Sequence, residues 1–594
     1  MVLRKHELEG KLGEEQQMIK SGVLRDENPL DQSPEFDEFL VACRHGDLRK
    51  CQELINLGVN INAKDKFDYT PLIIASLCGH YELVQLLLES GALAERNTFQ
   101  GERCIYNALN DRIRNLLLQY DFSKTSDPYV YWSTHISGLL SRTRPPTSDI
   151  SVVAGPRSFD LHKFLLASRT PYFRRKLEAQ PETSTWTLPP SVAPEALQIA
   201  LRYVYLGELP RDLVPPGSSA SEEDVARGLD RISKQLGLDR LWEAMVAGGD
   251  DRRLARQRYQ DEEARALGQV RDFFRANVLG RKVVVDRARV ADVRYGHDNP
   301  AFADVVLRAD EPDDGPPPPP AALNGQGIPT GFAAEGRTSV LYPAHKAMLI
   351  RSDYFARMFS GDFVEAQPSA HLRVVTVDCA PAVLELVLAF LYADEAGCPL
   401  EHALDLLYAA DMLFLDGLKN KAAVAISTLG SGAGGTLVDR SRRPRHDGRP
   451  EPELEPINIY DVIHAAWDLR VRRLEEFAAR YLAARLEDYV DDADFHDLIR
   501  ESAARLRRRE ETDTIELLDD VRYYLSERFR LRFEDAGLDD VMADPAAADP
   551  AADPAALDPA AAAAADDDFA SDAVNYHLLL GKIDAMLDRL KLDA

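Results

Sequence analysis

Tyr342-Pro343-Ala344-His345-Lys346-Ala347-Met348-Leu349-Ile350-Arg351-Ser352-Asp353-Tyr354-Phe355-Ala356-Arg357-Met358-Phe359-Ser360-Gly361-Asp362-Phe363-Val364-Glu365 is the stretch around which this chain of 594 residues is organised. Proline pushes the residue before it out of the helical region, so Pro343 closes an extended piece. Met348, Leu349 and Ile350 then open a helical run. Phe355, Met358 and Phe359 follow at i, i+3 and i+4, a spacing that sets them on one helix face. A weaker copy lies upstream, from Phe159-Asp160-Leu161-His162-Lys163 to Pro171-Tyr172-Phe173. In each copy His-Lys leads to Tyr-Phe, ten positions on in the first and nine in the second. Each is preceded by a candidate strand opened by aspartate, Asp149-Ile150 or Asp304-Val305-Val306-Leu307.

The pattern resembles the BTB/POZ domain, whose first helix opens with His-Lys and closes with a Tyr-Phe or similar aromatic pair. The resemblance implies a fold for protein–protein contact and not for chemistry. The first unit is expected over residues 147–248. There Thr185-Trp186-Thr187-Leu188 reads as a strand, and Leu197, Ile199, Leu201, Tyr203 and Val204 belong to a helix. The second unit is expected over 300–428, with 309–338 a Pro/Gly-rich insertion that cannot pack and is expected to be disordered. Beyond the insertion, residues 372–377 read as a strand, and Pro381 starts a helix that is apolar nearly all round and so buried.

Upstream of both copies a different repeat appears. Ala42, Ala75 and Ala108 stand 33 apart, as do Gly46 and Gly79, and Gly58 and Gly91. A period of 33 is the ankyrin value. The middle copy carries Asp65, Thr70-Pro71-Leu72, Ala75, Gly79-His80, Val84, Leu86-Leu87 and Gly91-Ala92, and it closely resembles the ankyrin consensus. Pro71 suits the first helical position, where a missing N–H is harmless. The third copy has Glu102-Arg103 in place of Thr-Pro, as terminal repeats facing water on one side are expected to be atypical. Two to three repeats are expected over residues 34–122.

The remaining segments read as follows. Residues 1–33 are polar and expected to be loosely ordered, and 123–148 form a connector. Residues 249–299 form a charged helical connector, with Arg and Glu spread around residues 252–274. Residues 429–455 are a Gly, Arg and Pro linker. Residues 456–535 are helical, resembling the BACK-like extension that follows many BTB domains. Residues 540–571 are an Ala, Asp and Pro tract with no packing face, expected to be disordered. Residues 572–594 form a short amphipathic helix with Leu578, Leu579, Ile583, Leu587 and Leu590. The fold class expected is α+β multidomain: a helical ankyrin-repeat solenoid, two BTB/POZ domains and a helical C-terminal extension.

Composition narrows the function classes. A hydrophobic share of 45% and a charged share of 28% are globular values. A formal net charge of −27 argues against nucleic acid as the main partner, since phosphate binding needs a basic face. Six cysteines without a C-x-x-C pair read as reduced thiols, which suits an intracellular compartment. No apolar signal region opens the chain and no run approaches a membrane span, so no membrane contact is expected. His162 and His345 lack a second ligand at metal spacing, which favours a structural role at a helix start. Gly430-Ser431-Gly432-Ala433-Gly434-Gly435 matches G-x-G-x-x-G only formally, because it follows a helix and runs into an Arg-rich linker. Arg440-Ser441-Arg442-Arg443-Pro444-Arg445 reads as solvated linker, with a nuclear import signal as the alternative. No catalytic motif is present. No enzyme activity, metal or cofactor is expected.

Ankyrin repeats followed by two BTB domains and a helical tail resemble the ankyrin-repeat and BTB/POZ domain-containing family over residues 34–535. The resemblance implies an intracellular adaptor, cytoplasmic, with the nucleus as the further compartment. Phe363-Val364-Glu365 matches the hydrophobic-x-Glu triplet by which BTB proteins of the cullin-3 ligases dock on the cullin's amino-terminal helices. Tyr354, Phe355, Phe363 and Glu365 would then lie on or near the cullin-facing side, with clients held by the ankyrin groove or the tail. The counterpart Leu177-Glu178 lacks the matching frame. BTB folds also pair, so the resemblance implies either a homodimer or pairing of the two copies within one chain. The alternative is a scaffold that joins partners without a cullin.

Overall fold

Two compact units make up the computed structural model, residues 1–422 and 423–594. It describes residues 26–93, 99–119, 129–246, 252–311, 338–428, 458–508, 517–535 and 559–592, with residues 216–219 and a few single positions excepted, and residues 17 and 19–22 near the start.

The first unit opens with three helix pairs. They are α1 (Pro34–His45) with α2 (Leu48–Asn56), α3 (Pro71–Cys78) with α4 (Tyr81–Glu89), and α5 (Phe99–Tyr106) with α6 (Asp111–Gln119). The first two pairs are built alike. Ser33 Oγ accepts from Phe36 N–H and Thr70 Oγ1 from Ile73 N–H, and a proline fills the first helical position of each. Gly46 and Gly79 end α1 and α3 at φ 69° and 86°, a conformation glycine adopts without strain. The third pair breaks the period: α5 ends at Tyr106, 28 residues after Cys78, so Ala108 lies beyond its helix and is not the counterpart of Ala75. The stretch before α1 is also more ordered than its polarity suggests. Lys64 N–H donates to Pro29 O and Asp31 N–H to Lys64 O, laying residues 29–31 beside the first inter-repeat turn.

After α7 (Val130–Gly138) comes the first αβ unit: β1 (Ile150–Ala154), β2 (Arg157–Leu161), α8 (Lys163–Arg169), α9 (Pro171–Ala179), β3 (Thr185–Thr187), α10 (Pro194–Val204), α11 (Glu222–Leu236) and α12 (Leu241–Val246). Its sheet has the order β2-β1-β3, with β1 antiparallel to β2 and parallel to β3. A long helix, α13 (Arg252–Asn277), leads to the second αβ unit. That unit contains β4 (Val283–Asp286), β5 (Val305–Asp310), β6 (Thr338–Ala344), α14 (Lys346–Leu349), α15 (Asp353–Ser360), β7 (Arg373–Thr376), α16 (Pro381–Ala393), α17 (Ala403–Met412) and α18 (Asp416–Ser427). Its sheet order is β4-β6-β5-β7, the same three-stranded arrangement with β4 added beside β6. The insertion expected over 309–338 begins and ends in strand, because β5 runs to Asp310 and β6 starts at Thr338. Residues 312–337 lie outside the described residues.

Two segments expected to be mere connectors are packed. Trp132 of α7 is fully buried, and its indole N–H donates to Tyr392 O of the second αβ unit at 2.9 Å. Helix α13, expected as a charged helical connector, buries Val270, Phe273 and Phe274. Phe273 stacks on Phe302 and Phe274 on Tyr392, while Arg169 of α8 reaches Glu262 of α13.

The second compact unit is helical: α19 (Ile459–Leu469), α20 (Arg472–Ala484), α21 (Leu486–Tyr489), α22 (Ala493–Arg508), α23 (Leu517–Asp535) and α24 (Pro559–Leu590). Helix α24 starts inside the tract expected to be disordered. Alanine, the strongest helix former, explains why a segment without apolar periodicity can still be helical. The glycine-rich match at 430–435 and the basic run at 440–445 lie outside the described residues.

Candidate protein-docking surface

Both αβ units set up their first helix with the same parts. Asp149 Oδ1 accepts from Lys163 N–H and Asp304 Oδ1 from Lys346 N–H, each at 2.7 Å. The phenol of Tyr205 accepts from His162 N–H and that of Tyr392 from His345 N–H. Arg169 donates to Val204 O and Arg351 to Phe390 O and Leu391 O, satisfying carbonyls at the ends of α10 and α16. The tautomer of His345 follows from its partners. Its Nε2 faces Ala301 O at 2.8 Å, and a carbonyl only accepts, so Nε2 carries the proton. Nδ1 then accepts from the Tyr392 hydroxyl at 2.7 Å.

Burial keeps these imidazoles neutral, lowering His345 to about 4 against the opposing hydrogen bond to Ala301 O. His162 falls to about 3 through burial, with His135 and His345 adding to it. Burial likewise raises Asp149 to about 7 and Asp304 to about 6, despite the amide each accepts. The two histidines are therefore fittings of the helix starts. Among the described residues no cluster of His, Cys, Asp and Glu could hold a metal ion, and no helix is long and apolar enough to cross a membrane.

The outward side of α15 is different in kind. Ser352 fixes its start, donating to Leu413 O at 2.7 Å while accepting from Phe355 N–H. Of the four residues expected at a docking face, Phe355 is fully buried and stacked on Phe359, with ring centroids 6.0 Å apart. It belongs to the core, because a helix fixed at Ser352 turns that position inward. Tyr354 is half-buried against the Phe355 edge, and Glu365 is half-buried in the short turn over Val364–Ala366. Phe363 is 58% exposed and Val364 62%. The Phe363 ring lies over Gly361, where an added Cβ would sit 2.9 Å from it. Phe414, also 58% exposed, stands under the Arg357 guanidinium at 5.9 Å. Sequence reading missed Phe414, although an aromatic residue between Leu413 and Leu415 at a helix junction was a usable signal. Phe363, Val364 and Phe414 thus put apolar surface around one helix, with Arg357 and Glu365 as its charged neighbours.

Comparison with known proteins gives the setting. Residues 39–88 match ankyrin repeats, and residues 140–245 and 334–428 match the BTB/POZ domain. A protein of Schizosaccharomyces pombe named BTB/POZ domain-containing protein 3 is 34% identical over 526 residues, 86% of either chain. An ankyrin repeat-containing protein of Saccharomyces cerevisiae is 31% identical over 521 residues, 85% of this chain and 91% of its own. Kelch-like protein 25 of Rattus norvegicus is 28% identical over 181 residues, 29% of this chain and 25% of its own. Ankyrin and BTB modules are generally non-enzymatic and serve protein–protein contact, which supports a protein-interaction adaptor role. On identities above 30% across most of its length, the chain belongs to the ankyrin repeat and BTB/POZ domain-containing protein family.

Proposed function

We propose that this chain is a substrate-recruiting adaptor of a cullin-3 type ubiquitin ligase. The second αβ unit meets the cullin, and the ankyrin groove or the helical residues 456–535, read as a BACK-like extension, hold the client. Work of this kind is intracellular, in the cytoplasm or nucleus. The observation that supports the reading is the exposed Phe363-Val364 pair beside the half-buried Glu365, in the place and order of the hydrophobic-x-Glu triplet. Apolar side chains left in water at the end of a fixed helix gain by being covered, and one oriented carboxylate selects the register. The adaptor performs no chemistry in this scheme; it raises the local concentration of client near the charged enzyme.

Titration of the full chain with the amino-terminal domain of cullin-3, followed calorimetrically, tests it. Wild type is expected to bind, and Phe363→Ala with Glu365→Ala to weaken binding at least about thirtyfold, the effect of losing one hot spot. No binding by the wild type would leave the cullin-independent scaffold as the reading. Binding indifferent to both substitutions would discard the triplet.

A further inference from the structure

We propose that the two αβ units form a closed pair within one chain, so that the protein is a monomer with a single cullin-type docking surface. The first unit then serves as the supporting half. The count of docking surfaces rests on the reading just given; the closure does not.

Closure follows from what covers the duplicated helix starts. His162 and His345 are each 2% exposed. Phe164, on the first unit's α8, lies with its ring centroid 4.6 Å from that of His345. Phe273 of α13 meets both Phe164 and His345, at 6.4 and 5.8 Å. Helix α7 precedes the first unit yet docks on the second, through Trp132 to Tyr392 O and His135 to Ala347 O at 2.7 Å. Each unit therefore uses the surroundings of its first helix to cover the other. A second copy of the chain would have to displace buried aromatic side chains to reach that face.

The outward helices diverge where the inward ones agree. Aligned on Tyr354-Phe355 and Tyr172-Phe173, α15 continues with Ala356, Arg357 and Met358, whereas α9 continues with Arg174, Arg175 and Lys176, all exposed. Leu177, aligned with Phe359, is fully buried, and Glu178 beside it is exposed. Among the described residues of the first αβ unit after α9, no exposed apolar pair repeats Phe363-Val364. A partner that covers apolar side chains finds them on one half only, and meets a row of cations on the other.

Light scattering on the purified full chain at tens of micromolar tests closure, with 66.2 kDa expected. Twice that mass would overturn it. Calorimetric titration with the cullin-3 amino-terminal domain tests the count, with one cullin per chain expected. Arg175→Glu with Lys176→Glu should leave both affinity and stoichiometry unchanged, because those side chains lie on the supporting half. Two cullins per chain, or a loss of affinity in that variant at unchanged melting temperature, would overturn the asymmetry. Absence of any binding would overturn the proposed function and the count with it, while the mass still decides closure.

Discussion

Trp132→Ala removes the largest side chain that α7 buries. The helix has nine residues, of which only Trp132, Ser133 and Ile136 are buried. A free helix of that length is marginal in water, so packing has to hold it. Truncating a fully buried indole costs about 3–5 kcal/mol. Part of that loss is the Tyr392 carbonyl, left without its 2.9 Å donor. At 1.4 kcal/mol per tenfold, the locally open form should become about a hundred to a few thousand times more populated. Hydrogen exchange followed by mass spectrometry reads this directly. Peptides covering residues 130–139 should lose protection by two to three orders of magnitude, with smaller losses around 345–351, while residues 71–89 of the ankyrin part stay protected. Trp132→Phe keeps most of the apolar contact and drops only the donor, so it should cost about 1–2 kcal/mol. Unchanged exchange at 130–139 in Trp132→Ala would refute the claim that this side chain fastens α7 to the second αβ unit.

The four residues expected at the docking face should separate by role: Phe355→Ala should lower stability by about 3–5 kcal/mol as a core deletion, and Phe363→Ala should stay within about 0.5 kcal/mol of wild type, both read by denaturant unfolding. The same buried machinery predicts an acid response. His135, His162 and His345 have folded pKa values lowered to about 4, 3 and 4, so their contribution is full above the ordinary histidine range and is lost as pH falls from about 6.5 toward 4. Asp149 and Asp304, raised to about 7 and 6, work the other way, adding stability as pH falls. Three imidazoles outweigh two carboxyls, so the melting temperature of the first compact unit should drop between pH 7 and pH 5, and Asp304→Asn should steepen the drop. A flat profile, or a shallower one in the variant, would contradict these assignments.

Much of this was legible in the sequence because local rules carry it. His-Lys to Tyr-Phe marked both first helices, and Thr70-Pro71 with Gly79 marked a capped helix whose start and stop are set by its own residues. The third ankyrin pair was misphased because Ala108 repeats the spacing by coincidence, and only the position of α5 shows it. Trp132 and α13 were missed for another reason. Their burial depends on residues elsewhere in the chain, such as Tyr392 for Trp132 and Arg169 for Glu262, and no spacing within a segment encodes that. Charge spread around α13 gave no sign of burial, yet Arg169 and Glu262 satisfy each other inside the protein. At the docking face, the triplet named Phe363 and Glu365, but whether Phe355 pointed in or out turned on the Ser352 cap.

The charges on α13 do more than permit burial; they fix which way the helix lies. Toward its start, Glu262 meets Arg169 of the first αβ unit and Arg265 and Tyr203 around it. Toward its end, Arg271 and Arg275 meet Glu395 of the second. Apolar contacts through Phe273 and Phe274 would tolerate a slip of one helical turn, since packing alone rewards any covered ring. A slip would instead leave the Arg169 guanidinium, almost wholly buried, without its carboxylate, and an unpaired buried charge costs about 3–5 kcal/mol. The pair at Arg169 therefore adds little net stability against an apolar equivalent, but it penalises every other register. Two homologous halves on one chain need that discrimination, because their helix starts are built so alike that apolar matching by itself would not tell one from the other.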